Sequence, residues 1–255
     1  MPPADASTEA DPSAEADART EAEAAGTRPP AAVADPTGDD TLDLRLSDEL
    51  IALLAAAGDA TGPADSDLLD AVAGWAPAVT PVGTFRLVPV RVDRDLALVT
   101  RWMNDPAVAA FWELSGPESV TAAHLRAQLD GDGRSVPCLG VLDSTPMSYF
   151  EIYRADLDPL ARHYPARPHD TGIHLLLGGV ADRGRGVGTA LLRAVADLVL
   201  DHRPRCTRVV AEPDLRNTPS VSAFLSAGFR FSAEVALPDK QAALMVRDRP
   251  LRHVL

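Results

Sequence analysis

The residues best suited to chemistry lie in one stretch that begins at Asp170. An apolar, strand-like run carries Asp170 and His174 and leads into a loop, residues 183–188, with the sequence Arg-Gly-Arg-Gly-Val-Gly. A helix-forming run, residues 189–201, follows the loop directly. Glycine permits the positive φ angles of such a turn, and a helix N-terminus directs unpaired N–H groups into one concavity. The arrangement therefore predicts a binding site for a pyrophosphate group.

Spacing excludes two common phosphate-binding loops. The P-loop motif needs a lysine directly after its last glycine, whereas the only lysine of this chain, Lys240, lies far from residues 183–188. The dinucleotide fingerprint has the spacing G-x-G-x-x-G after the first strand of a βαβ unit, and this loop has G-x-G-x-G instead.

Ionisable side chains also follow two strand-like runs. Successive residues of a strand point to opposite faces, so Asp170 and His174 share one face of the strand before the loop. By the same rule Tyr149, Glu151 and Tyr153 share one face of an earlier strand. If the two strands are neighbours, carboxylates, an imidazole and phenols converge over one surface. Because histidine titrates close to neutral pH, this surface is a candidate for acid–base chemistry.

The loop matches the R/Q-x-x-G-x-G/A signature of the GNAT acyltransferases, and other motifs extend the resemblance. They occur in the order WMNDP at 102–106, FW at 111–112, YFEIY at 149–153, DTGIH at 170–174, the loop, and EPDLRN at 212–217. With these motifs, residues 85–247 resemble the siderophore-biosynthesis branch of the family, whose members acylate lysine, hydroxylysine or a hydroxylated diamine.

The resemblance implies an acyl-CoA cosubstrate and a catalytic pair. It implies that the cofactor is bound by Arg183, Gly184, Arg185, Gly186, Val187, Gly188, Thr189 and Asn217. An alkylammonium, with a pKa near 10.4, must lose a proton before it can attack a thioester. The resemblance implies His174 as the base and Glu212 as its carboxylate partner, with Asp170 and Asp214 as alternative partners. Backbone N–H groups of residues 175–177 would stabilise the oxyanion.

The acceptor site is expected to be acidic, which suits a substrate with a second cationic amine. Its candidate residues are Trp112, Glu151, Tyr153 and Asp170, with core packing as the alternative role of Trp112. Members of the family often carry a tyrosine in the helix after Asn217, as acid towards the leaving thiolate. The aligned position here holds Phe224. Either the thiolate leaves unassisted or His174 returns the proton.

These observations predict an acyl-CoA-dependent N-acyltransferase of siderophore biosynthesis. Its acceptor would be the small-molecule amine or hydroxylamine of lysine, N6-hydroxylysine or an N-hydroxydiamine. One alternative is an enzyme like the aminoglycoside 6′-N-acetyltransferases, which share much of the pattern. The other is a catalytically silent CoA-binding module, which Phe224 favours and the intact His174 and Glu212 oppose.

The elements that must position these residues predict an α+β fold of the GNAT type. Antiparallel strands come first, and one strand–helix–strand crossover joins the DTGIH strand to the strand that ends at Glu212. The result is a mixed, mostly antiparallel sheet whose central strands splay apart, within a domain spanning residues 83–255. Residues 41–82 are predicted to form a helical appendage, with helices at 46–54 and 67–75, and a Pro/Gly-rich linker at 76–83.

Composition indicates the properties expected of the rest of the chain. Residues 1–40 contain ten acidic and two basic residues, a net charge of −8 out of −13 for all 255 residues, and are expected to be a disordered tail. So acidic a chain is a poor nucleic-acid ligand. It lacks a secretory-signal pattern and an apolar run long enough to span a membrane, so a cytoplasmic location is expected. Cys138 and Cys206 lack metal-ligand spacing, and no metal is predicted. The sequence predicts no oligomeric state.

Overall fold

The computed structural model describes residues 69–253. The predicted acidic tail and the predicted helix at 46–54 lie outside the described residues. The strands are β1 Ala78–Thr80, β2 Gly83–Pro89, β3 Ser135–Leu142, β4 Thr145–Arg154, β5 Thr171–Leu177, β6 Arg208–Ala211, β7 Arg230–Ala236 and β8 Gln241–Asp248. The α-helices are α1 Val92–Met103, α2 Pro106–Trp112, α3 Glu118–Leu129, α4 Val187–His202 and α5 Thr218–Ser226.

The strands form one mixed sheet in the order β1-β2-β3-β4-β5-β6-β8-β7. Every neighbouring pair is antiparallel except β5 and β6, which are parallel and are joined through α4. A parallel connection needs such a crossover, because the chain must return to the starting end of the sheet. The predicted α+β architecture of the GNAT type is therefore confirmed.

The parallel pair β5 and β6 opens into a notch. In the described sheet the two strands are paired only at Thr171–Val209 and Gly172–Val210. Beyond Gly172, β5 continues to Leu177 against β4, so its opposite edge is open where it leaves β6. The divergence leaves backbone groups of β5 available beside the side chain of Glu212, the residue after β6.

Helices cover both faces of the sheet. Apolar residues of α4, namely Leu191, Leu192, Val195 and Val199, pack against Phe150, Ile152 and Ile173 on one face. On the other face Val99, Met103 and Leu125 of α1 and α3 pack against Leu139, Tyr149 and Leu176. Burial of each such aliphatic side chain stabilises the fold by about 1.5–3 kcal/mol. Among the described residues, no helix has the length and apolar character needed to cross a membrane.

The segment before β2 belongs to this sheet and not to a linker. Residues 69–74 form a 3-10 helix, and Leu69 and Val72 are buried in the main core. Within the predicted linker, β1 pairs antiparallel with β2, and the Thr80 hydroxyl closes the turn by donating to the carbonyl of Gly83. The linker prediction for 76–83 is therefore wrong, because this turn lets the chain double back on β2.

The sequence analysis did not predict helix α2. The carboxylate of Asp105 caps the helix by accepting a hydrogen bond from the N–H of Ala107 at 2.9 Å, and Pro106 occupies the first turn. Both features are typical helix starts. The helix ends at Trp112 and brings that ring to the edge of the notch.

Candidate active site

A histidine held between two carboxylates lies at the notch. Glu151 of β4 lies directly opposite His174 of β5 in the antiparallel register, so both side chains project from the same face. His174 Nδ1 is 2.9 Å from Glu151 Oε2, and His174 Nε2 is 2.5 Å from Glu212 Oε1. Each ring nitrogen thus faces a carboxylate oxygen, which is the environment that an imidazolium prefers.

The Glu212 carboxylate is fixed by a phenol. Tyr153, which is buried, donates its hydroxyl to Glu212 Oε2 at 2.7 Å. This contact leaves Oε1 directed towards His174. Tyr153, predicted as a substrate contact, orients the Glu212 carboxylate in this structure.

The Glu151 carboxylate carries a second set of partners. His124 Nε2 lies 2.5 Å from Glu151 Oε1, Gln128 donates to that oxygen at 2.8 Å, and the Tyr149 hydroxyl donates to it at 2.9 Å. The sequence reading missed His124 and Gln128. Their spacing of four residues on α3, which places both on one helix face, was the available signal.

Burial and neighbouring charges have opposite effects on the pKa values of Glu151, Glu212 and His174. Burial disfavours the ionised form of Glu151, but hydrogen bonds from His124 and His174 hold the pKa of that carboxyl well below its usual range. Burial likewise opposes ionisation of Glu212, yet the charge of His174 lowers its pKa to about 2. Burial also disfavours a charged His174 ring, but Glu212 and Glu151 together raise its pKa to about 10. At neutral pH His174 is therefore an imidazolium between two carboxylates.

Cavities extend from this cluster. The central cavity, about 310 Å³, occupies the notch and is lined by His174, Glu212 and Lys240 among others. The loop cavity, about 860 Å³, is lined by the glycine-rich loop and the facing helix α5. Asn217 and Phe224 line both cavities, so the two adjoin at these residues.

The distal cavity, about 500 Å³, lies between α3 and the strands β3 and β4. His124, Glu151 and His174 line both this cavity and the central one. Asp158 adds a carboxylate without an arginine partner among the described salt bridges, and its burial raises its pKa. The two arginines that also line this cavity are each paired with an aspartate, in Arg134–Asp132 and Arg154–Asp156. Its surface therefore suits a cationic group.

The glycine-rich loop has the predicted conformation. Gly184 and Gly186 have φ angles of +71° and +78°, and a Cβ at either position would meet no atom within 4 Å. Glycine is thus required here by backbone conformation and not by crowding. Gly186 precedes α4 without any side-chain cap, which leaves the first N–H groups of a 16-residue helix directed at the loop cavity.

Most of the predicted cofactor residues line the loop cavity. They are Arg183, Gly184, Gly186, Gly188, Thr189 and Asn217. Arg183 also braces the loop, because its guanidinium donates to the carbonyl of Leu177 at 2.9 Å and to Asp105 at 2.9 Å. Arg185 and Val187 are not among the lining residues, since Arg185 is solvent-exposed and Val187 packs against the core.

The expectation that Asp170 faces the acceptor is wrong. Asp170 is fully buried, and its carboxylate accepts hydrogen bonds from Arg208 at 2.8 and 2.9 Å and from the Tyr164 hydroxyl at 2.9 Å. It lies immediately before β5, four residues from His174, at the end of the strand where Arg208 is located. Asp170 is therefore a structural ion-pair partner and does not contact His174.

The other predicted site residues surround the central cavity. Asp214 lines it, but its carboxylate pairs with Arg216 at 2.6 Å, so of the predicted partners of His174 only Glu212 reaches the ring. The ring centroids of Trp112 and His174 lie 6.0 Å apart, and Trp112 forms one side of the notch. Phe224 is buried in the wall that the central and loop cavities share.

The fold and this site define a CoA-dependent acyltransferase. Residues 91–237, more than half of the chain, match the family model described as an acetyltransferase (GNAT) domain. The chain therefore belongs to the GNAT acetyltransferase family, as the motif order predicted.

Curated relatives fall within the predicted branch of that family. The chain is 37% identical to lysine N-acyltransferase MbtK of Mycolicibacterium paratuberculosis over 156 residues, which cover 61% of this chain and 70% of that one. It is 39% identical to N(6)-hydroxylysine O-acetyltransferase of Escherichia coli over 155 residues, covering 61% of this chain and 49% of the relative, about half of its length.

A solved structure supports the same fold. Aminoglycoside acetyltransferase AAC(6′)-Ib in complex with coenzyme A matches with a TM-score of 0.56 and 25% identity. The match covers 67% of this chain and 96% of that one.

Proposed function

We propose that this chain transfers an acyl group from acyl-CoA to the side-chain nitrogen of lysine, N6-hydroxylysine or an N-hydroxydiamine in siderophore biosynthesis. One observation carries the proposal: His174, clamped by Glu151 and Glu212, lies where the central cavity meets the distal one. A thioester entering from the loop cavity and an amine entering from the distal cavity would meet at this ring.

Acyl-CoA is assigned to the loop cavity. The unpaired N–H groups at the start of α4 and the open backbone of Gly184 and Gly186 suit a pyrophosphate. The loop cavity adjoins the central cavity at Asn217, so the pantetheine arm would reach the notch past this residue. The solved relative that binds coenzyme A supports this assignment.

The clamp suits His174 to deprotonate an alkylammonium. An ordinary imidazole, with a pKa near 6.5, would face an uphill proton transfer of about 5 kcal/mol from an amine of pKa near 10.4. Because the two carboxylates raise the pKa of His174 to about 10, neutral His174 and the amine are closely matched. The consequence is that only about one His174 ring in a thousand is neutral at pH 7. Turnover of a basic amine should therefore rise steeply with pH.

An N-hydroxyamine needs no such step, because it is already neutral near pH 7. With that acceptor the resting imidazolium donates its proton to the departing CoA thiolate. Phe224, which lines the cavity at the position where relatives of this family often carry a tyrosine, has no proton to give. His174 therefore fills the role of general acid, and the order of proton transfers depends on the acceptor.

We assign binding of the thioester carbonyl oxygen to the unpaired edge of β5. Leu175 lines both the central and the loop cavity. Beyond Gly172 the β6-side edge of β5 is not paired in the described sheet, so N–H groups on that edge are free to donate to the oxyanion. No side chain is required for that role.

The distal cavity is assigned to the rest of the acceptor. Glu151 and Asp158 offer negative charge at its surface, which complements the α-ammonium of lysine or the second amine of a diamine. The relatives named as acyltransferases of lysine and N6-hydroxylysine support this acceptor class. We infer a cytoplasmic location, where acyl-CoA is available.

The test is an acceptor panel assayed with acetyl-, succinyl- and long-chain acyl-CoA. Release of the CoA thiol is followed and products are identified by mass, with His174→Gln as the matched control. Acylation of lysine, hydroxylysine or an N-hydroxydiamine is expected, and the control should lose most of it. Preference for an aminoglycoside would assign the chain to the alternative enzyme class. Calorimetric CoA binding without turnover of any acceptor would mark a silent binding module.

A further inference from the structure

Lys240, the only lysine of the chain, projects into the central cavity. It lies in the turn between β7 and β8, where its carbonyl accepts a hydrogen bond from the N–H of Leu237 at 2.9 Å. Its Nζ is 3.7 Å from Glu212 Oε1, the same oxygen that lies 2.5 Å from His174 Nε2. The side chain of Lys240 is 22% exposed, so it is mostly surrounded by protein yet accessible from the cavity.

The chemical identity of this group matters because it is the functional group that the enzyme would acylate. A primary alkylamine on a four-carbon stem is the acceptor proposed for the free substrate. Lys240 therefore presents an internal copy of the acceptor beside the same base and in the same cavity as the thioester. Holding a nucleophile in the site makes its reaction unimolecular, which raises its effective concentration far above that of a dissolved amine.

We propose that the enzyme acylates its own Lys240 when no acceptor is bound, an inference that rests on the proposed function. Glu212 Oε1, which contacts both groups, passes one proton from the Lys240 ammonium to neutral His174, and the freed Nζ attacks the thioester carbon. The N–C bond forms, the C–S bond breaks, and CoA leaves as a thiolate that takes up a proton from the His174 imidazolium. The second amine proton passes to solvent, and an amide remains on Nζ.

Acylation would alter the site in two ways. The amide is neutral, so Glu212 loses the cation 3.7 Å from its Oε1. The acyl group also remains within the central cavity, where it occupies space that the next thioester needs. Self-acylation is therefore expected to lower turnover, and a saturating free acceptor is expected to protect the enzyme by competing for the thioester.

The composition of the chain makes this modification easy to assign. With one lysine, an acyl amide on an internal side chain can form at one position. The two thiols, Cys138 and Cys206, are buried, and burial raises the pKa of both. They are therefore poor competitors for the acyl group.

The experiment incubates the full chain with acetyl-CoA, without acceptor, and measures intact mass followed by peptide mapping. The wild type should gain one acetyl group at Lys240, whereas Lys240→Arg should gain none there. His174→Gln should acetylate Lys240 at least about tenfold more slowly, because the general base is lost. Saturating free lysine should suppress labelling in the wild type.

The possible failures are distinguishable. Unmodified Lys240 in an enzyme that acylates free lysine would overturn the self-acylation and leave the proposed function intact. Equal labelling of the wild type and His174→Gln would also overturn it, because the amide would then arise from uncatalysed reaction with the thioester. If neither Lys240 nor any free acceptor is acylated, the proposed function fails together with this inference.

Discussion

His174 Nε2 and Glu212 Oε1 lie 2.5 Å apart across the gap between β5 and β6. The two residues are separated by the whole crossover helix in sequence, yet the parallel pairing of Thr171 with Val209 fixes their distance. Sheet geometry, and not local sequence, therefore brings His174 to Glu212. Any change that alters the start of this ladder should disturb the pair before it disturbs the core.

The loop prediction concerns Gly186→Val. A β-branched residue is strained at a φ of +78°, so the loop should lose the conformation that presents its N–H groups, and CoA affinity should fall at least about tenfold. The fold should persist, because a Cβ there meets no atom within 4 Å. Calorimetric titration with CoA measures the effect. Gly74→Val, at an exposed glycine outside the site, is the matched control; equal affinity in both variants would remove the loop from the cofactor site.

The stability prediction follows from the shifted pKa values of the cluster. Folding raises the pKa of His174 from 6.5 to about 10, so its stabilisation is complete below pH 6.5 and disappears as pH rises through 10. Folding lowers the pKa of Glu212 from 4.5 to about 2, so its stabilisation is present above pH 4.5 and disappears as pH falls through 2. The unfolding free energy of the wild type should therefore exceed that of His174→Gln most between pH 4.5 and 6.5.

Chemical denaturation from pH 4 to 10 measures this difference. His163→Gln, which changes an exposed histidine outside the cluster, is the control. A wild-type advantage that stays constant up to pH 10 would mean that the carboxylates do not hold a proton on His174.

The carboxylate prediction compares Glu212→Gln with Asp214→Asn. Glu212→Gln removes the charge that raises the pKa of His174 but keeps a polar group against the ring. The kcat with lysine should therefore fall by less than for His174→Ala, and its rise with pH should begin at a lower pH. Asp214→Asn should leave the profile in place, because Asp214 pairs with Arg216 and not with His174. The reverse result would make Asp214 the partner of His174.

Residues 170–174 show which side-chain positions could be predicted from the sequence and which could not. Strand alternation correctly placed Glu151 and His174 on one face, because both lie inside regular strands. The same rule did not place Asp170 in the acceptor site, because Arg208 and Tyr164 hold its buried carboxylate at the start of β5. Alternation predicts which residues share a face and carries no information about the partners that each side chain finds.

Contacts between elements that are distant in sequence could not be predicted from the sequence alone. Glu212 was paired with His174 through family resemblance, because nothing local links the two. His124 was missed since the face that α3 turns to the sheet depends on packing with α1, which periodicity alone did not resolve. Trp112 does line the central cavity, although helix α2 that carries it was not predicted.

The tail prediction concerns residues 1–40, which lie outside the described residues. Deleting this acidic segment should leave turnover and melting temperature nearly unchanged, since its composition offers almost no apolar surface to bury. Differential scanning calorimetry of the full and shortened chains checks it. A melting temperature lowered by several degrees would contradict the expected disorder.

The most direct measurement is the pH dependence of kcat from pH 6 to 10 for lysine and N6-hydroxylysine, in the wild type and in His174→Ala. With lysine, wild-type kcat should rise with pH towards the His174 pKa of about 10, and His174→Ala should lower it by about 10²–10⁴-fold. With N6-hydroxylysine the wild-type profile should be nearly flat below pH 9, and the loss in His174→Ala should be smaller. KM for acyl-CoA should barely change in either case. Full activity of His174→Ala with both acceptors would show that the clamped histidine is a structural residue and takes no part in proton transfer.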